Sequence, residues 1–264
     1  DKVAAIALML NLTMNSQAGI GYKSSAQIAR RITESWGSEN LYCVCCNNPR
    51  INSTKTNFRA ADFRCPGCNA LYEMKSGKRW DENRVPDSGY ASMMNALTSD
   101  RVPNLFVMQY SNNWTVRNLL LVPSFFFSPA AIEKRKPLGL GARRAGWVGC
   151  NILLIKIADA GKIRLVKDGL AEPRDRIRSN YQRIRPLARI GTEARGWTLD
   201  VLNVVERLGR RDFDLTDIYA HEGEFAALRP TNMNIRPKLR QQMQVLRDMG
   251  FIRFKGRGQY RLND

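Results

Sequence analysis

Ile28, Ile32 and Trp36 recur at the spacing that lines side chains along one helix face, and Ser24 or Ser25 stands before them as a cap. The pattern predicts an amphipathic helix over residues 24–36, with Arg30 and Arg31 on its basic face. Over residues 58–75 the chain changes to short extended runs broken by Pro66-Gly67, which predicts a hairpin; Gly77 then opens a polar loop through Pro86. A helix over 88–98 follows, then strands at 105–110 and 119–122 bounded by Pro103, Asn112-Asn113 and Pro123. Both look like central strands of a mixed sheet. Residues 134–151, rich in Gly and Arg, predict a long functional loop, and 152–157 with 162–167 a strand pair.

From Trp197 the period is helical, with Leu199, Leu202, Val205 and Leu208 on one face, and a short helix is expected over 214–220. A third helix starts near Ile235, where Pro237 suits the first turn, and Gly250 ends it. Its core stripe is Ile235, Leu239, Met243, Leu246 and Met249. Residues 251–262 then alternate about Gly256-Arg257-Gly258, a strand-turn-strand wing with basic residues at its tip. Three helices and such a hairpin make the winged helix-turn-helix plan, whose last helix enters the major groove. The fold expected is therefore α+β, with a domain over 1–190 built on a mixed central sheet with flanking helices, and a small winged-helix domain over 191–264.

Charge adds the kind of partner. Across 264 residues, 42 Lys and Arg face 24 Asp and Glu, a net charge of +18. Such an excess draws phosphate polymers and makes their binding strongly salt-dependent, because each neutralised phosphate releases counterion. Residues 174–189 hold six arginines against one Asp and predict a basic linker or a helix lying along DNA. No segment approaches the roughly 20 apolar residues of a spanning helix. The apolar run at 3–10 after Lys2 lacks a small-residue cleavage site and reads as an N-terminal extension or an added helix.

Cysteine placement brings in metal. Cys43-x2-Cys46 and Cys65-x2-Cys68 are separated by eighteen residues, within the range of a four-cysteine zinc site. Four thiolates fill a tetrahedral shell and leave no position for water, so the zinc is expected to be structural. Cys45 can replace either neighbour. Clustered cysteines of this kind point to metal in a reducing cytoplasm. Asp62 precedes Cys65 by three residues and Glu73 follows Cys68 by five, so a turn at the second cysteine pair brings the two carboxylates toward each other. Glu73 and Lys75, two apart on a strand, share a face. Two carboxylates suit magnesium, with phosphate and water completing its shell, and a lysine beside it can position or help deprotonate an attacking water. Asp-x10-Glu-x-Lys on a hairpin is the PD-(D/E)XK nuclease pattern, with Ala61 where a proline often precedes the Asp.

The runs AADFRCPGC, YEMKS, GYASMM, RKPLGLGARRAGWVGCN, RGWT and RQQMQVLRDMGFIRFKGRGQYR, in order from about Tyr22 to the C terminus, resemble the DpnI-like methyl-directed restriction endonucleases. The resemblance implies a monomeric, cytoplasmic enzyme of a bacterium or archaeon, with no membrane partner. It implies cleavage of double-stranded DNA at GATC carrying N6-methyladenine. By motif position Asp62, Glu73 and Lys75 take the catalytic roles, Asp62 and Glu73 the magnesium, and Cys43, Cys46, Cys65 and Cys68 the zinc. Cys45 and the longer N terminus depart from the pattern. An N6-methyl group projects into the major groove, and Trp147, flanked by Arg143 and Arg144, offers it an indole face. Arg236, Lys238, Arg240 and Gln241 in the third helix are candidates for base edges or phosphates, and Lys255 and Arg257 on the wing for the backbone. His221, the single histidine, is expected at the surface. The main alternative is a non-enzymatic zinc and winged-helix regulator in which the triad is incidental. An RNA-binding zinc protein and a redox protein using Cys43 and Cys46 stand behind it.

Overall fold

The computed structural model of the chain describes residues 10–54 and 61–263. All but Leu10 of the apolar N-terminal run lies outside these residues, as does the start of the expected hairpin at 58–60. In chain order the elements begin α1 (Ser25–Asn40), β1 (Asn52–Ser53), β2 (Phe63–Arg64), β3 (Leu71–Gly77), β4 (Arg84–Gly89), α2 (Tyr90–Thr98), β5 (Asn104–Tyr110) and β6 (Val116–Val122). They continue β7 (Ile132–Lys134), β8 (Gly149–Leu153), β9 (Ile163–Lys167), β10 (Leu170–Ala171), α3 (Arg174–Ile184) and α4 (Thr192–Arg207). The last are β11 (Asp212–Asp214), α5 (Leu215–Tyr219), α6 (Glu222–Leu228), α7 (Ile235–Asp248), β12 (Ile252–Gly256) and β13 (Gln259–Leu262). Two compact units are interleaved in sequence. One takes the chain up to Val85 with Arg101–Ser124 and Ala160–Arg185, the other Pro86–Asp100, Phe125–Asp159 and the chain from Pro186 onward.

The first unit is a seven-stranded sheet in the order β1-β2-β3-β5-β6-β9-β10. It is mixed, as expected: β3 runs parallel to β5, with Glu73 opposite Leu105 and Lys75 opposite Val107, and β5 runs antiparallel to β6. Burial on both faces explains why β5 reads as a continuous apolar run rather than an alternation. Helix α1 extends the predicted span at its C-terminal end and buries Ile32, Thr33, Trp36 and Gly37. Gly37 is required by close approach, since an added Cβ would come within 2.5 Å of the Phe63 ring. Residues 174–184, expected as a basic linker or a helix along DNA, form α3, which buries Ile177, Tyr181 and Ile184 and packs on β9. An apolar stripe lies between the arginines and anchors the segment.

The second unit carries the winged helix. Helix α4 is buried along Arg195 to Val205, beginning earlier than Trp197, and α7 buries Ile235, Leu239, Met243 and Leu246 of the expected stripe. Thr198 Oγ donates to Gln242 Oε1 at 2.7 Å and joins the two helices. The sheet is β11-β13-β12, so the wing gains a third strand that sequence periodicity did not show. Helix α6 was likewise not expected. His221 stands half-buried before it, 3.6 Å from Glu224. Two other expectations are corrected. The polar loop through Pro86 contains β4, and the strand pair at 152–157 and 162–167 does not exist: β8 lies in a small β4-β8-β7 sheet, residues 154–156 tighten into a 3-10 turn, and β9 pairs with β6. Among the described residues no helix is long and apolar enough to cross a membrane.

Buried Asp200 fixes the loop ahead of α7. It accepts from Ser128 Oγ at 2.8 Å and pairs with Arg229, whose guanidinium lies 4.0 Å over the Trp197 ring. Removing the carboxylate leaves a mostly buried guanidinium uncompensated. Asp200→Ala is expected to cost about 3 kcal/mol, read as a lowered urea midpoint; an unchanged midpoint would show the pair to be dispensable.

Candidate active site

Asp62 immediately precedes β2 and is held from three sides. Its N–H donates to Tyr72 O at 2.8 Å, the Thr54 N–H donates to Asp62 O at 2.9 Å, and the Met74 N–H donates to Asp62 Oδ2 at 2.8 Å. The register of β2 on β3 pairs Phe63 with Tyr72 and Arg64 with Leu71. The paired register ends there, and Asp62 lies just beyond it, its N–H bonded to Tyr72 O and its carboxylate to the Met74 N–H. Glu73 and Lys75, two apart on β3, project to the same face. Asp62 is thus held against the strand that carries Glu73 and Lys75, on the side away from the turn at residues 65–70, and the Lys75 charge acts on its carboxyl. Lys75 Nζ lies 2.5 Å from Glu73 Oε1, each side chain about a quarter exposed at 27% and 25%.

The charges around Asp62 act in both directions. Burial raises the Asp62 carboxyl above the usual carboxylate range; the Met74 N–H opposes this, Glu34 on α1 adds to it, and Arg30 and Lys75 oppose it. Glu34 is itself paired with Arg30 at 2.6 Å. Sequence reading missed this helix pair as part of the site, although its four-residue spacing is visible in the sequence. Thr33, next to Glu34, bonds Ser76, next to Lys75, at 3.2 Å and ties α1 to β3. A half-buried carboxylate that burial and a neighbouring acid make costly to ionise, bonded to the residue next to a second carboxylate, is a donor set that fits a hard divalent ion.

Four sulfurs also meet in this unit. The Sγ atoms of Cys43, Cys46, Cys65 and Cys68 all lie within 4.8 Å of one another, with Cys43 to Cys68 at 3.5 Å and Cys46 to Cys65 at 3.6 Å. Zinc–thiolate bonds of about 2.3 Å in a tetrahedron put sulfurs about 3.8 Å apart, so the cluster can hold zinc. The N–H groups of Gly67 and Cys68 point at Cys65 Sγ at 3.3 and 3.5 Å, the second shell a thiolate ligand needs. Cys45 lies outside the cluster, its sulfur 3.3 Å from the Tyr72 hydroxyl, which also touches Cys43 at 3.1 Å. Arg178 of α3 donates to the carbonyls of Cys43 and Asn48, at 3.4 and 3.2 Å, and so ties the first cysteine pair to the helix. Its role had no sequence signal beyond charge.

The residues proposed for DNA fall in two places of the second unit. Arg143 and Arg144 are exposed between β7 and β8, and Arg144 stacks 4.7 Å over the Trp147 ring. The indole lies across Gly149, where a Cβ would meet it at 2.8 Å. On α7, Arg236 pairs with Glu222 at 2.7 Å, Arg240 bonds the Tyr219 hydroxyl, and both guanidiniums sit over the Tyr219 ring at 5.2 and 5.7 Å. Tyr219 was not foreseen. Gln241 is exposed and Lys238 half-buried. On the wing Lys255 is drawn to Asp212 at 3.0 Å, whereas Arg257 is exposed at the tip with φ +26°.

Comparison with protein families gives two matches that meet near the start of α4. Residues 10–190 match the model of DpnI, the Dam-replacing family, and residues 193–262 match that of the Dam-replacing HTH domain. The chain belongs to the Dam-replacing (DpnI) family and ends in that family's helix-turn-helix domain.

Proposed function

We propose that this protein is a methylation-dependent type II restriction endonuclease that hydrolyses double-stranded DNA at GATC sites carrying N6-methyladenine. A restriction nuclease acting on DNA is what the family match supports. The observation that supports the finer reading is the bond of Asp62 to the Met74 N–H, between Glu73 and Lys75, which themselves form an ion pair. In this reading residues 1–190 cut, through a PD-(D/E)XK triad, and residues 191–264 read the duplex as a monomer's second contact.

Asp62 and Glu73 would hold magnesium, which when bound polarises the scissile phosphate and stabilises its developing charge. Asp62 is kept in place by the Met74 N–H, so its free oxygen is presented at a fixed position. Lys75 orients the attacking water toward phosphorus and stabilises charge as the phosphodiester opens. Its ammonium is held by Glu73, two residues back on the same strand. Cys43, Cys46, Cys65 and Cys68 would hold structural zinc in the same unit. The decisive experiment incubates the protein and magnesium with adenine-methylated and unmethylated plasmid. Cutting confined to methylated DNA supports the reading; binding without cutting of either plasmid would leave the regulator.

Methyl reading is assigned to Trp147. A methyl group taken from water onto the indole is worth about 0.8 kcal/mol, roughly four-fold per methyl. Trp147→Ala should lower the ratio of kcat/KM on methylated over unmethylated sites by at least that factor. An unchanged ratio would remove Trp147 from methyl reading.

A further inference from the structure

Between β7 and β8 the chain forms a hairpin that continues well beyond the two strands. The Arg135 N–H donates to Gly149 O at 2.9 Å, the Leu138 N–H to Trp147 O at 2.9 Å, and the Gly146 N–H back to Leu138 O at 2.9 Å. The Ala142 N–H donates to Gly139 O at 3.0 Å, a turn that leaves Leu140 and Gly141 at its centre. The base is anchored on α2, where the Tyr90 N–H donates to Val148 O at 3.0 Å. A tip supported in this way is a presented feature, not a slack loop.

What it presents is apolar. Leu140 is 98% exposed and Leu138 37%, and a Cβ built on Gly139 or Gly141 would meet nothing within 4 Å. A single exposed leucine is ordinary on a protein surface. This one is framed by Lys134, Arg135, Lys136, Arg143 and Arg144, all exposed, with no acidic residue from 134 to 147. Such a frame repels a basic partner and draws phosphate onto both flanks of the tip. With phosphates held on each side, the one apolar side chain ahead of them is delivered to the base stack. Leucine is among the residues that enter base steps and part them.

We propose that Leu140 is a wedge that inserts between neighbouring base pairs of bound duplex DNA, with the flanking arginines and lysines clamping the backbone around the opened step. The proposal rests on the DNA-cutting reading above and deepens it by assigning a distortion of the substrate to this hairpin.

The test uses the full chain, calcium in place of magnesium to keep strands intact, and methylated duplexes carrying 2-aminopurine at one position at a time across and beside the site. The wild-type protein should raise 2-aminopurine emission several-fold at one step. Leu140→Ser, on a fully exposed tip, should fold normally, bind with Kd weakened less than about ten-fold, and abolish that rise; Leu140→Met should restore it. Equal emission with wild type and Leu140→Ser, or no rise at any step while duplex is bound, overturns the wedge alone. A change of oligomeric state in Leu140→Ser would also overturn it, because the tip would then meet a second copy. A wild-type protein that binds no duplex overturns the wedge together with the endonuclease reading.

Discussion

Asp62→Ala should lower cleavage of methylated DNA by roughly 100- to 1,000-fold, the scale of losing one positioned group that stabilises transition-state charge, while duplex affinity changes only a few-fold. Among the described residues the side chain is held by the Met74 N–H, so its removal leaves β2 and β3 paired through their main chains. Single-turnover cleavage and a filter-binding titration separate the two effects. Cleavage within about ten-fold of wild type would exclude Asp62 from the chemistry. Asp62→Asn carries a second, opposite signature. Burial raises the folded-state carboxyl, so the native state binds its proton more tightly than the unfolded chain does. The ionised form therefore costs stability as pH rises from the unfolded value through the raised folded value, and the cost is complete above it. Asn removes that cost. In EDTA at neutral pH, Asp62→Asn should melt above wild type although it cannot cut, a trade of stability for a metal-binding site.

Cys65→Ser should abolish zinc binding and unfold the first unit. Structural zinc sites supply about 10–16 kcal/mol in small peptides, and whole domains are stable by only about 5–15 kcal/mol. Cys65 is buried, is met by two backbone N–H groups, and precedes the turn that returns the chain toward Glu73. Metal content by atomic absorption and the near-ultraviolet dichroism of the aromatic core, including the stacked Tyr72 and Phe106 rings, report the two losses together. Full activity with stoichiometric metal in Cys65→Ser would show that the knuckle does not scaffold the site. Cys45→Ser is the contrast: its sulfur faces Tyr72, so zinc content should stay at the wild-type value.

The parts of this molecule that were legible in its sequence are those whose partners are near in sequence or whose burial is one-sided. Helix α7 and the wing carry their own period and stop signals and helix α1 its period but not its end, while the approach of Asp62 to the strand of Glu73 follows from one tight hairpin. What stayed hidden depends on distant pairing. β8 and β9 are apolar and consecutive, so they read as partners, yet β9 finds β6, whose strand ends at Val122. β4 carries Pro86 and few apolar residues, and its strand character comes from the β8 edge. The site shows the same division. The triad and the cysteines lie in one stretch, whereas Arg30 and Glu34 reach Asp62 only through the fold. Lys255 looked free to meet phosphate, and Asp212, far earlier in the chain, turns out to hold it.

The interleaving of the two units bears on how the chain is made. Synthesis runs from the N terminus and segments fold as they emerge, but here β3, β5 and β6 must wait for β9 and α3, and the intervening residues 86–100 and 125–159 belong to a unit whose remainder begins at Pro186. Pairing across such separations is slow. A nascent chain that already displays Asp62, Glu73 and Lys75 therefore lacks a finished sheet behind them, and α7 emerges later still. The last segment of the first unit ends at Arg185, so its sheet can close before the helix-turn-helix segment that follows has been made.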